Sequence, residues 1–137
     1  MANASRWRDA RAPSLTDIEV LAIEAWNRLP AEFRGLCANV VVRVEDFATD
    51  EVLESLGIES PFDLMGLYQG VSMDRKSVME PVGEPDMVYL YRRALLDFWC
   101  ESEDTLAELV THVLVHEIGH HFGLSDEDME AIEQRAG

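Results

Sequence analysis

The segment from Thr105 to Gly123 constrains the fold of this chain most strongly. Apolar residues recur there at helical spacing on both sides of the string HEIGH, at Leu106, Leu109, Val110, Val113, Leu114, Val115, Ile118 and Phe122. A helix that is apolar over so much of its surface must be largely buried, so the rest of the chain has to pack around it. With 137 residues, the chain is long enough to bury such a helix in one domain and too short for two ordinary domains.

The string HEIGH at residues 116–120 places chemically active side chains on this helix. His116 and His120 are four positions apart, so they share one helix face and can chelate one metal ion. Glu117 stands beside the first histidine, where a carboxylate can take a proton from metal-bound water. An ionised glutamate buried without a partner is strongly destabilising, and a metal with its water supplies that partner. The sequence therefore predicts a metal site with Glu117 as the catalytic base.

A third metal ligand is expected downstream of the helix. Gly123 can take the left-handed conformation that ends a helix, so the chain can turn there and return Asp126 to the metal. An acid in the first turn of the next helix is also explained by the helix dipole alone, and Glu130 or Glu127 could take the ligand position instead. Asp128 pairs with Ser125 as a capping signature. Two imidazoles and a carboxylate favour zinc as the ion.

The other polar side chains near the motif have less specific interpretations. His112 and His121 are expected to be bystanders, although His112 could donate a hydrogen bond to a ligand. A tyrosine could stabilise the oxyanion formed when water attacks a carbonyl, and the candidates are Tyr68, Tyr89 and Tyr91. Arg92 and Arg93 could bind a substrate carboxylate, but in so acidic a chain they are expected to neutralise neighbouring acids.

Capping signatures and hydrophobic periodicity predict a mixture of helices and strands. The expected helices are 15–29, 50–56, a site helix from Ser102 or Thr105 to Gly123, and 126–134; the expected strands are 39–46 and 87–93. The stretch DLMGLYQG has a strand-like apolar content interrupted by Gly66 and Gly70, and 71–86 is expected to be a loop. Residues 1–14 are expected to form a flexible tail and 15–137 the domain.

Charge and composition exclude several classes of partner. The net charge of −16 repels phosphate backbones, so nucleic acid is not expected to bind. No apolar run is long enough for a membrane span, and the start of the chain lacks the apolar core of a secretory signal, which makes the cytoplasm the expected location. Cys37 and Cys100 lack metal-binding or redox spacing and are expected to be reduced thiols.

The string HEIGHHFGLSDEDM, together with the upstream GLYQG and YLYRR segments, resembles the small bacterial zincin-like metallopeptidases, also called minimal zincins. The resemblance covers about residues 15–134. It implies one compact α+β domain in which a small twisted mixed sheet packs on the active-site helix and an N-terminal helix. It also implies a zinc site with His116, Glu117, His120 and Asp126. Metzincins share the ligand spacing but continue to a methionine-containing turn, whereas this chain ends 11 residues after Asp126.

The resemblance implies that a peptide or protein substrate binds extended along strand 87–91, because zincins offer the edge of the strand before the site helix. The acidic C-terminal third favours cationic or neutral peptides. Two competing functions are considered. A metal-binding regulatory protein with little turnover is suggested by the short chain, whereas a metal-dependent ribonuclease is opposed by Glu117 and by the negative charge.

Overall fold

The helices begin where the sequence supplies capping side chains. In the computed structural model, which describes residues 6–37, 39–70 and 86–136, Ser14 and Asp17 form a reciprocal capping box at the first long helix. Thr105 and Glu108 do the same for the site helix, and Ser125 and Asp128 for the last helix. The helices are α1 (Leu15–Arg28), α2 (Ala31–Leu36), α3 (Asp50–Leu56), α4 (Arg92–Glu101), α5 (Leu106–His121) and α6 (Asp126–Ala136), with a 3-10 turn at Pro61–Asp63.

The described strands form one mixed three-stranded sheet. They are β1 (Val40–Glu45), β2 (Gly66–Gln69) and β3 (Asp86–Tyr91), in the order β1-β3-β2. β1 runs parallel to β3 with Val42 opposite Val88, and β2 runs antiparallel to β3 with Tyr68 opposite Val88. Val40, Val42 and Val44 of β1 are half-buried and alternate with the exposed Val41 and Arg43, as a strand with one covered face requires.

Helix α5 lies in the middle of the hydrophobic core. Val110, Leu114, Val115 and Ile118 are fully buried, and α1 packs against the same helix through Ile18, Ala22 and Ala25. β2 and β3 also contact α5. The molecule is therefore an α+β domain in which a small mixed sheet packs on the site helix and an N-terminal helix, as expected.

The sheet order corrects the expected position of a bound peptide. β3 pairs with β1 on one side and with β2 on the other, and both pairings include residues 87–90. A peptide can add to a sheet only at an unpaired edge, so strand 87–91 does not offer one. Among the described strands, β1 and β2 hold the outer positions.

Two helices were not expected from the sequence. The predicted strand 87–93 ends at Tyr91, and Arg92 and Arg93 form the first turn of α4 rather than the end of a strand. The physical reason is a change of period, because Tyr91, Ala94 and Leu95 are buried at helical spacing. Helix α2 follows Pro30 and buries Phe33. The predicted loop 71–86 lies outside the described residues except for Asp86, which begins β3.

Both cysteines are free thiols. Cys37 is buried at the end of α2, where its Sγ donates to the Phe33 carbonyl oxygen at 3.2 Å, and burial raises its pKa to about 11. Cys100 is exposed on α4. Among the described residues, no helix has both the length and the apolar character that crossing a bilayer requires. Residues 1–5 of the predicted tail 1–14 lie outside the described part of the chain, and the predicted domain bounds stay a prediction.

Candidate metal centre

Helix α5 presents the two motif histidines one turn apart, as the spacing predicts. The rings of His116 and His120 lie 5.6 Å apart between centroids and almost perpendicular to each other. Burial lowers the pKa of His116, nearby His112 acts in the same direction, and Glu133 opposes both. The neutral imidazole is the form that binds a metal, so the half-buried position of His116 suits a ligand.

The chain turns sharply after α5 and brings the next helix back toward the histidines. Gly123 has a φ angle of 73°, the left-handed conformation that glycine adopts at helix ends. The N–H of Gly123 donates to the His120 carbonyl oxygen at 3.2 Å, and the N–H of Leu124 donates to the Gly119 carbonyl oxygen at 2.9 Å. These two bonds form a Schellman motif, which satisfies the last carbonyls of the helix. Asp126 then begins α6.

Close packing between α5 and α6 sets the position of Asp126 relative to the two histidines. Met129, one turn into α6, is fully buried against Gly119 of the motif. A Cβ atom at position 119 would lie 2.4 Å from Met129 Sδ and 2.8 Å from its Cγ. Only a residue without a side chain therefore lets α6 approach α5 this closely.

The structure brings His116, His120 and Asp126 together. One possible ligand atom from each residue lies within 4.8 Å of the other two. Asp126 and the alternative third ligands Glu127 and Glu130 are all exposed, but neither glutamate belongs to a three-residue donor group within the described residues. The geometry thus favours Asp126 over both alternatives.

The three residues fit a zinc ion in donor chemistry and in size. Zinc sits about 2.0–2.2 Å from nitrogen and oxygen donors, which places two donors of a tetrahedral site about 3.3 Å apart. The donor atoms of His116, His120 and Asp126 are at most 4.8 Å apart, so side-chain shifts of about 1 Å are enough to bring them to the distances that a zinc ion requires. The fourth position of a site with three protein ligands is the one that water or substrate occupies.

Glu117 lies half-buried next to this group. Burial raises the pKa of its carboxyl above the ordinary value, while His120 and a hydrogen bond from the main-chain N–H of Tyr68 act in the opposite direction. A carboxylate that is partly removed from water is a stronger base than one on the surface. The position is suitable for a residue that accepts a proton and later returns it.

Gly66 allows β2 to approach this glutamate. A Cβ atom at position 66 would lie 2.8 Å from Val113 Cγ1 and 3.1 Å from Glu117 Cγ. The strand-like segment that the sequence analysis described as interrupted by Gly66 instead begins there, because the glycine is needed for contact with α5. This positioning role was missed, and its signal was a glycine inside an otherwise apolar, aromatic strand.

Glu133 is a further acidic residue at the site that the sequence analysis did not identify. Its Oε1 atom lies 2.7 Å from His112 Nδ1, and its Oε2 atom lies 3.5 Å from His116 Nε2. His112 is therefore not an isolated bystander, since its ring lies 4.0 Å from that of His116 between centroids, tilted by 35°, and it contacts the same carboxylate. Two signals were available: His112 is four residues before His116, and Glu133 is seven residues, about two helical turns, after Asp126.

The remaining polar candidates are engaged with neighbouring residues. The Tyr68 hydroxyl donates to Asp86 Oδ2 at 2.6 Å, and burial together with this bond raises the pKa of Tyr68. The Tyr68 ring stacks on His121 at 3.9 Å. Arg92 pairs with Asp46 at 3.0 Å, in line with the expected neutralising role. Tyr89 and Tyr91 stack on each other at 6.2 Å between centroids.

A family model described as zincin-like metallopeptidase matches residues 37–136 of the 137-residue chain. The matched range contains the whole described sheet, the site helix α5 and all of α6, whereas α1 and α2 precede it. No curated protein matches the chain.

Proposed function

The chain belongs to the zincin-like metallopeptidase family, and from this premise we propose that it hydrolyses peptide bonds with the help of one zinc ion. His116, His120 and Asp126 would hold the ion and Glu117 would act as general base and acid. The observation that carries the proposal is the convergence of three donor atoms within 4.8 Å, on the helix that also carries Glu117.

The residues of the chain would divide the reaction between them. A bound zinc ion supplies a water with a pKa of about 7 and polarises the scissile carbonyl. Glu117 would remove a proton from the attacking water and deliver it to the leaving nitrogen. Its raised pKa supports this double role, because the carboxyl group must be protonated between the two transfers.

We propose that the peptide lies along the outer edge of β2 rather than along residues 87–91. β2 contacts α5, and the main-chain N–H of Tyr68 already reaches the Glu117 carboxylate. An extended peptide added at this edge would therefore pass next to the catalytic base. Residues 101–137 contain ten acidic residues and a single basic residue, Arg135, so cationic or neutral peptides are the preferred substrates.

The test of catalysis compares the parent protein with Glu117→Gln and with the control Glu130→Gln, which alters an exposed glutamate outside the donor groups. Zinc content and cleavage of a diverse peptide pool are measured for each. We expect all three proteins to bind zinc and only Glu117→Gln to lose cleavage. A parent that binds zinc but cleaves no peptide would support a metal-binding regulatory protein, and a parent without stoichiometric metal would refute both functions.

The third ligand has its own test. Asp126→Ala removes the carboxylate that the structure brings to the histidines, so zinc affinity should fall by about tenfold or more, since even hydrogen-bond partners of ligands contribute that much. Glu130→Ala should leave the affinity unchanged. Calorimetric titration of the metal-free proteins measures both, and the reverse order would contradict the assignment of Asp126.

A further inference from the structure

Histidines and carboxylates form a second donor group beside the one already described. Helix α5 carries His112, His116 and His120 at intervals of four residues, and α6 places Asp126 and Glu133 against them. Among the described residues, His112, His116 and Glu133 offer donor atoms that all lie within 4.8 Å of one another, as do those of the first group. His116 belongs to both.

The spacing of this second group suits a small divalent ion. His116 Nε2 lies 3.5 Å from Glu133 Oε2, close to the separation of about 3.3 Å between two donors of a tetrahedral zinc site. His112 Nδ1 and Glu133 Oε1 are 2.7 Å apart and need to separate by only about 0.6 Å to reach that value. The ion would replace the proton shared by these two atoms, and that proton would pass to solvent.

The group is also accessible and lies in a favourable field. The His112 side chain is 52% exposed, whereas His116 and Glu133 are mostly covered, so an ion can enter beside His112 without passing the first group. The acidic C-terminal third of the chain raises the local concentration of cations. Two imidazoles select ions such as zinc, nickel or copper over magnesium or calcium.

We propose that His112, His116 and Glu133 form a second binding site for a transition-metal ion. Because both groups include His116, a second ion would withdraw this ligand from the first site. The first site would fill first, and zinc beyond one equivalent would then occupy the second site and weaken the hold of His120 and Asp126 on the first ion. The proposal concerns metal binding alone and holds whether or not the chain hydrolyses peptides.

The test removes the first site and asks whether metal still binds. In the double variant His120→Ala/Asp126→Ala, calorimetric titration of the metal-free protein with zinc or nickel should give one equivalent. Adding His112→Ala or Glu133→Gln should weaken this binding by about tenfold or more. Adding Glu130→Gln, an exposed glutamate of the same helix, should change nothing. Equal affinity in all these variants, or no binding by a folded double variant, would overturn the proposal.

A second measurement needs no change to the first site. In the parent protein, the ring signals of His112 in a nitrogen-resolved NMR spectrum should shift only after one equivalent of zinc has been added, and Glu133→Gln should suppress the shift. An unshifted His112 ring at several equivalents would also overturn the proposal. Peptide cleavage does not enter either readout, so a chain without peptidase activity leaves this test intact.

Discussion

Gly119, the fourth residue of HEIGH, is expected to control both stability and metal binding. In Gly119→Ala the new methyl group would meet Met129 Sδ at 2.4 Å and Cγ at 2.8 Å, well inside the usual contact distance of about 3.5–4.0 Å. Met129 is fully buried, so it cannot rotate into solvent. The Met129 side chain must repack within the core, and we expect part of the clash to be relieved by moving α6 away from α5 by up to about 1 Å, with Asp126 moving along.

The expected change in the free energy of unfolding of Gly119→Ala is the sum of two opposing contributions. Overpacking a core by one methyl group typically destabilises a protein by about 1–3 kcal/mol. Replacing a glycine inside a helix by alanine stabilises it by about 0.5–1 kcal/mol. Because the shift needed at Met129 is large for a packed interior, we expect the free energy of unfolding to fall by about 1–2 kcal/mol.

Gly35→Ala is the matched control for this measurement. Gly35 lies in α2, and a Cβ atom there would have no neighbour within 4 Å, so only the helix contribution acts and stability should rise by about 0.5–1 kcal/mol. Urea unfolding of the metal-free proteins measures both variants, and zinc titration should show weaker binding only for Gly119→Ala. If Gly119→Ala stabilises the protein as much as Gly35→Ala does, the packing argument is refuted.

A double variant separates the clash from other effects of the alanine. Met129→Ala should by itself lower the free energy of unfolding by about 2–5 kcal/mol, since it empties a fully buried position. In that background, Gly119→Ala no longer meets a methionine and should become stabilising by about 0.5–1 kcal/mol. A Gly119→Ala effect that is the same with and without Met129 would show that the two residues are not coupled.

Three further predictions concern the residues around the base. Burial raises the pKa of Glu117 above the ordinary value of 4.5, so the native state retains this proton where the unfolded chain loses it. In the metal-free protein, stability should therefore fall as the pH rises above about 4.5, and Glu117→Gln should remove that part of the slope in urea unfolding. Gly66→Ala should lower the free energy of unfolding by about 1–3 kcal/mol, because its methyl group meets Val113 Cγ1 at 2.8 Å; an unchanged urea midpoint would contradict this. Tyr68→Phe removes one hydrogen bond of the buried Asp86, which also lies 4.0 Å from His121 Nε2, and should destabilise by about 0.5–1.5 kcal/mol in the same assay; an unchanged urea midpoint would contradict this.

The parts of the fold that the sequence predicts well depend on contacts between near neighbours in the chain. The capping boxes at Ser14 and Ser125 each form between residues three apart, and the turn at Gly123 needs only a positive φ angle and two local hydrogen bonds. The spacing of His116 and His120 is likewise a property of one helix. These features place helices α1, α5 and α6 and two of the three expected ligands without knowledge of the tertiary structure.

The order of the strands could not be predicted in the same way. The alternation of Val88, Tyr89 and Leu90 indicates a strand, but it does not say which strands lie on either side. The central position of β3 depends on a parallel pairing with β1, whose residues are 46 positions earlier in the chain. The expected peptide-binding edge failed for this reason.

Glu133 shows the same limit within the metal centre. Its spacing puts Glu133 on the same face of α6 as Asp126, but Glu130, four residues after Asp126, shares that face, so the sequence alone does not choose between them. Its approach to His112 and His116 depends on how α6 lies across α5, and that is decided by the contact between Gly119 and Met129. Only the tertiary structure therefore brings Glu133, among the glutamates of α6, to the histidines.

Within HEIGH, the residues between the ligands determine how the third ligand is held. Ile118 is buried in the core on the side of α5 away from His116 and His120, whereas Gly119 lies next to the histidines and is covered by Met129 of α6. Met129 lies three residues after Asp126 on α6. How deeply the Met129 side chain packs beside Gly119 therefore sets the position of the Asp126 carboxylate relative to the histidines. A larger residue at position 119 would leave both histidines in place and still weaken the site. Core packing between Gly119 and Met129 thus acts together with the turn at Gly123 to hold Asp126 near the two histidines.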